Sequence, residues 1–230
     1  DLDGVLYPHG VADEYAGGRI ERVNLTTGQF ERVYDSCNGY TLQGPNDLVF
    51  DKHGGFWFSD TGKIYDRKST RGGIYYASTD GDYITEDLHP ADYANGIALS
   101  PDESTLYFCE TLNGRLWHFD ITAPGVLQEG AATGDPKNLL YAPGGHQGFD
   151  SMALDCDCNV CQATLFTGGI SVISPHGKLI DFYKFPDPLV TNICFGGDDM
   201  RTAFITLSGT GHLVKMQWPR PGLALNYLNK

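Results

Sequence analysis

An all-β fold, a β-propeller, is what the sequence of 230 residues predicts, on three observations. The chain is rich in Gly (29), Pro (12) and aromatic residues (13 Tyr, 12 Phe, 3 Trp), and no window carries the apolar repeat at three and four residues that an amphipathic helix needs. Short runs of alternating branched and aromatic residues are divided by turns of Gly, Pro, Asp and Ser. One unit also recurs, starting near residues 46, 95, 150 and 191, at the spacing of roughly 40 to 55 residues that four-stranded blades give.

The stretch Ala94 to Thr111 (ANGIALSPDESTLYFCET) is the clearest copy of that unit. A strand from Gly96 to Leu99 and another from Thr105 to Cys109 flank Ser100-Pro101-Asp102, whose backbone preferences favour a reversal. Ahead of it, Gly17 to Tyr34 reads as the third and fourth strands of a partial blade, about 1–40, with no recognisable first strand. Asn46 to Thr61 is an inner hairpin followed by a third strand, Gly72 to Ser78. Gly114 to Ile121 plays that part after the second copy. The same order repeats in Asp150 to Leu165 with Gly168 to Phe185, and in Thr191 to Ser208 with Gly211 to Trp218. No linker divides the chain, so 1–230 is expected to be a single propeller domain with whole blades starting near 46, 95, 150 and 191. Trp57, Phe58, Tyr107, Phe108, Trp117 and Phe119 recur at matching positions and are expected to pack between blades.

A net charge of −13 argues against a nucleic-acid partner, since phosphate binding depends on Lys and Arg, and no apolar run is long enough for a membrane span. The same charge suits cations; an anionic substrate would need a local positive centre such as a metal. Cys109, Cys161 and Cys194 sit in apolar strand runs and are expected in the core. Cys156, Cys158 and Cys161 fall short of the four ligands of a usual zinc site. The first residue is Asp, no signal peptide is visible, and a cytoplasmic location is the expectation. There is no Gly-x-Ser-x-Gly elbow and no phosphate-binding glycine loop.

Gly44-Pro45-Asn46-Asp47-Leu48 with Gly55 to Thr61, then Ala94 to Asp102 with Thr105-Leu106-Tyr107, then Asp150 to Asp155, resemble the SMP-30/gluconolactonase/LRE family over essentially the whole chain. The resemblance implies a six-bladed propeller that binds a divalent cation, Ca²⁺ before Mg²⁺, Mn²⁺ or Zn²⁺, at the central channel and hydrolyses lactones. It places the metal ligands at Asn46, Asn95 and Asp150. Each of these stands two residues before an apolar strand residue (Leu48, Ile97, Met152), so the three hold equivalent places in successive blades. The first strand of a blade lines the axis, and carboxamide and carboxylate oxygens suit a hard cation. Asp150 is expected to double as the base that activates water, with Asp47, Ser151 and His146 as substrate-binding candidates. The family also supplies a Glu ligand from an N-terminal Glu-Gly-Pro segment. Glu14 and Glu21 do not sit in such a context, which fits a ring whose first blade and part of the second are missing from this chain. Two functions follow as expectations: metal-dependent hydrolysis of a lactone, sugar-derived in the first instance, or a non-catalytic propeller that binds a small ligand or a protein.

Overall fold

The computed structural model describes residues 11–228, so residues 1–10 of the expected partial blade lie outside the described residues. Two short hairpins come first: β1 (Ile20–Val23) with β2 (Phe30–Tyr34), then β3 (Ser36–Cys37) with β4 (Tyr40–Thr41). Four antiparallel sheets follow, each wound outward from its first strand. The first holds β5 (Pro45–Phe50), β6 (Gly55–Asp60), β7 (Gly72–Ser78) and β8 (Ile84–Ala91). The second holds β9 (Ala94–Leu99), β10 (Thr105–Glu110) and β11 (Arg115–Ala123), with β12 (Val126–Leu127) and β13 (Leu139–Tyr141) both paired to β11. The third holds β14 (Gly148–Leu154), β15 (Val160–Leu165), β16 (Gly169–Ile173) and β17 (Leu179–Lys184); the last has three strands among the described residues, β18 (Val190–Gly196), β19 (Thr202–Leu207) and β20 (His212–Gln217). The one helix among the described residues is a 3-10 turn, Pro136–Asn138, and none is long and apolar enough to cross a membrane.

β5 packs on β9, β9 on β14 and β14 on β18, so the four sheets are blades of a β-propeller set around a common axis. Strand alternation supplies the packing: Trp57 faces the second blade with Phe108, Trp117 and Phe119, while its neighbour Phe58 points the other way, onto Tyr34 and Tyr75. The recurring aromatic residues are therefore inter-blade core, as expected. Phe58 stacks on Tyr75 at 5.0 Å and Phe108 on Phe119 at 5.6 Å. Tyr107 and Cys109 join Phe149 and Met152 between the second and third blades, and Cys161 joins Ile193, Ile205 and Trp218 between the third and fourth.

One core assignment needs correction. Cys109 and Cys161 are buried, but Cys194 is exposed, because it lies on the face of the last sheet turned away from the third blade. Leu48 (42% exposed) and Phe50 on β5 show the same effect at the opposite face.

The segment after β20 makes contacts that no repeat pattern announces. It runs across the turns between the first and second strands of all four blades. Gly222 N donates to Met200 O, Leu223 N to Leu154 O, and Asn226 Nδ2 to both Glu103 Oε1 and Phe50 O. Arg220 Nε donates to Asp155 Oδ2 at 2.5 Å, and the Asp155 side chain is fully buried. Residues 219–228 thus form a strap over one end of the axis. The inner strands start at the other end, where the candidate residues lie.

Candidate active site

The inner strand of every blade is interrupted at its start by the same irregularity. In the first blade Pro45 pairs with Asp60 and Leu48 with Phe58, which leaves Asn46 and Asp47 opposite Ser59 alone. In the second, Asn95 and Gly96 stand opposite Cys109; in the third, Asp150 and Ser151 stand opposite Ala163. In the fourth, Thr191 and Asn192 share Thr206. Such two-against-one bulges bend a strand and re-aim its side chains. The propeller stacks four of them around one end of its axis, and they carry the polar residues of each repeat.

Gly96 lets two of these bulges touch. A Cβ on Gly96 would lie 2.6 Å from Asp150 O and 2.8 Å from Ser151 Cα, so only glycine allows β9 this close to β14. Gly96→Ala is expected to push the strands apart, lower stability by about 2 kcal/mol and weaken any cation-induced rise in melting temperature, both measured by thermal melts.

Asn95 and Asp150 come together across that contact, with the Asn95 amide beside the Asp150 carboxylate. Asn95 Nδ2 donates to Thr111 Oγ1 at 3.1 Å, which fixes the amide, while Asn95 Oδ1 is buried without a partner. Asp150 Oδ1 accepts from Ser151 N at 3.0 Å. Burial pushes the Asp150 carboxyl up to about 6; the Ser151 amide and the Asn95 side chain offset part of this, and the Asp47 charge adds to it. Asp47 is likewise raised by burial, with the Ser151 hydroxyl and the Ile97 amide pulling the other way. Asp47, Asn95, Asp150 and Ser151 therefore form one cluster.

The remaining candidates lie around this cluster. Asn46 is exposed on its bulge. His146 is exposed in the segment leading into β14 and stacks on Phe166 at 4.4 Å, on the same end of the sheets as Asp150. Several supporting residues carried no sequence signal. Asp60 (1% exposed) accepts from the amides of Gln43, Gly44 and Gly62, and Glu110 (2% exposed) from Asp92 N, Asn113 Nδ2 and Trp117 Nε1. These carboxylates pin the segments that lead into β5 and β9. Thr111 and Gly96 lie within the repeated motif, and a glycine inside a strand is a sequence signal that could have found the close backbone approach.

The donors suit a divalent cation. Neither Asp47 nor Asp150 forms an ion pair among the described residues, both carboxylates are desolvated, and the nearby Asn95 Oδ1 lacks a donor. Buried negative charge and an orphaned oxygen are costly unless something positive faces them, and an all-oxygen set favours a hard ion.

Fold and site together define a β-propeller with an acidic cluster of oxygen-bearing side chains at one end of its axis. The SMP-30/Gluconolactonase/LRE-like region profile matches residues 11–209, and the chain belongs to that family. It is 33% identical over 185 residues to lactonase drp35 of Staphylococcus haemolyticus, covering 80% of this chain and 54% of the relative. The chain spans about half the length of the curated relatives it matches. Among solved structures, a gluconolactonase from Xanthomonas campestris superposes with a TM-score of 0.71 at 23% identity, covering 87% of this chain and 65% of that one. A calcium-binding protein, regucalcin, from Agrobacterium tumefaciens gives 0.67 at 22% identity, covering 80% and 60%.

Proposed function

We propose that this protein hydrolyses a lactone, sugar-derived in the first instance, with a divalent cation, calcium foremost, at the axial cluster. The observation that carries the reading is the buried, unpartnered Asn95 Oδ1 set beside the desolvated Asp150 and Asp47. Asn95 and Asp150 would hold the ion, with Asn46, Asp47 and Ser151 as the neighbouring oxygen donors. When bound, the cation supplies Lewis-acid polarisation of the ring carbonyl and stabilises the oxyanion.

Asp150 acts as general base. Its Oδ1 is held by Ser151 N, so Oδ2 is the oxygen that takes a proton from water. The water oxygen bonds to the carbonyl carbon, the ring C–O bond breaks, and the proton passes to the departing alkoxide, giving the open hydroxy acid. With no cation bound, burial raises this carboxyl to about 6; a bound cation would pull it back down and keep it ionised at pH 7. Ser151 lies beside Asp47 and orients it, and His146 at the rim contacts substrate. The ring is proposed to hold six blades: exposed Leu48 and Phe50 on β5 and Leu213 on β20 offer faces against which further blades would pack. Gluconolactone opening, followed by proton release with and without calcium and after chelation, tests the function. Calcium-dependent turnover is expected; no turnover while calcium raises the melting temperature would leave a binding propeller.

The pH dependence has a definite sign. The folded protein keeps a proton on Asp150 up to about pH 6, whereas the unfolded chain releases it near 4. Between these values the folded state binds more protons, so this group's contribution to stability falls as pH rises from about 4 to 6, by up to about 3 kcal/mol without cation. Cation and proton compete for the carboxylate, so the calcium-induced rise in melting temperature should grow from pH 5 to pH 7. A rise that is the same at both values would remove Asp150 from the ion's ligands.

A further inference from the structure

The bulge that carries Asp150 is underpinned by a residue with no counterpart in the other blades. Gln162 on β15 is fully buried. Its Nε2 donates to Asp150 O at 2.6 Å, to Ala163 O at 3.1 Å and to Ser151 O at 3.3 Å. Cys109 Sγ, from the second blade, donates to the same Asp150 O at 3.0 Å. Strand pairing sets Gln162 opposite Met152, the residue just after the bulge. The residues in that position in the other three blades are Phe58, opposite Leu48, Phe108, opposite Ile97, and Ile205, opposite Ile193. All three are fully buried and apolar. Among the four blades of the described residues, only the one that supplies the candidate base has an amide there.

Packing does not explain this exchange. Gln162 Oε1 is buried with no partner, which makes the side chain more costly than the apolar residues that fill the site elsewhere. A bulge leaves carbonyls without their ladder partners, and the Gln162 amide covers those of Asp150 and Ser151, in two successive peptides. A carbonyl held from two sides fixes the peptide planes, and with them the direction of the Asp150 side chain.

We propose that Gln162 is a positioning residue for Asp150, holding the third-blade bulge in the one geometry that aims the carboxylate at the axis. The inference rests on Asp150 acting as proposed above. Misplacement of a reacting group by about 1 Å costs on the order of a hundredfold in rate, so the expected effect is on turnover rather than on substrate binding.

The test compares the wild-type protein with Gln162→Leu, and with Gln162→Met in case the branched side chain does not fit. Both substitutions restore the apolar character of the other blades. The expected result is a melting temperature within about 4 °C of wild type, since the Ser151 carbonyl loses its donor while the unpartnered Gln162 Oε1 is removed, with KM for gluconolactone within about twofold, kcat lower by about ten- to a hundredfold, and a smaller calcium-induced rise in melting temperature. A folded variant with wild-type kcat overturns the inference, as does a loss of kcat no larger than the unfolded fraction at the assay temperature accounts for. If the wild-type protein itself opens no lactone, the enzymatic reading fails. Gln162 is then judged by calcium alone: a reduced melting shift in the variants supports its positioning role, and an unchanged shift removes it.

Discussion

Asp150→Asn is expected to lower lactone turnover by about three orders of magnitude while making the cation-free protein more stable at pH 7. The two effects have one origin. The carboxylate is desolvated among Asn95, Ser151 and Asp47, and its carboxyl is raised to about 6, so ionising it in the folded state costs up to about 3 kcal/mol at neutral pH. Asparagine keeps the shape and removes the charge, and the repulsion from Asp47 goes with it. Kinetics with saturating calcium and melts in chelator at pH 4, 5, 6 and 7 check both parts. The gain in stability should shrink to nothing towards pH 4, where the wild-type carboxyl is itself neutral. Full activity in the variant would rule out Asp150 as the base.

The second large effect lies at the other end of the axis. Asp155 accepts from Arg220 Nε, from the amides of Asp157 and Asn159, and from Asn159 Nδ2. Asp155→Ala would strand these donors and leave a partly buried guanidinium without its counter-ion, a loss of about 3 kcal/mol. For a chain of this size that corresponds to a melting temperature lower by roughly 6 to 12 °C. Burial raises the cost of losing one partner more than the worth of the pair, so Asp155→Leu combined with Arg220→Met should fall less far than Asp155→Ala. Melts of the three proteins decide this; equal losses in both variants would mean that the ion pair is not what secures the strap.

Much of the architecture was legible because its signals are local. The period-two alternation and the Ser-Pro-Asp and Lys-His-Gly-Gly turns lie within single hairpins, and β5 to β7, β9 to β11 and β14 to β17 fall where they predict. The equivalence of Asn46, Asn95 and Asp150 was legible too, since the bulge recurs at one place in each unit. Which of the adjacent residues Asn46 and Asp47 faces Asp150 was not, because a bulge overrides the alternation from which sidedness is read. The exposure of Cys194 depends on what lies next to its sheet, which its own apolar run does not encode. Gln162 is a polar residue in an apolar strand that the repeat pattern does not mark, and its contacts with Asp150 and Ser151 on the neighbouring strand emerge only in three dimensions. The strap is made almost entirely of contacts between residues far apart in sequence, and no periodicity marks it.

That last property bears on how the protein comes off the ribosome. Asn226 grips the backbone of Phe50 across 176 residues of sequence, so the first full blade is synthesised long before the residue that fastens it exists. Until then the turns of the first two blades are joined through Lys52, whose backbone N donates to the Glu103 carboxylate and whose Nζ donates to Asp102 O. The strap therefore fastens turns that packing and nearer hydrogen bonds have already brought together, and acts as a late clasp on that end of the blades.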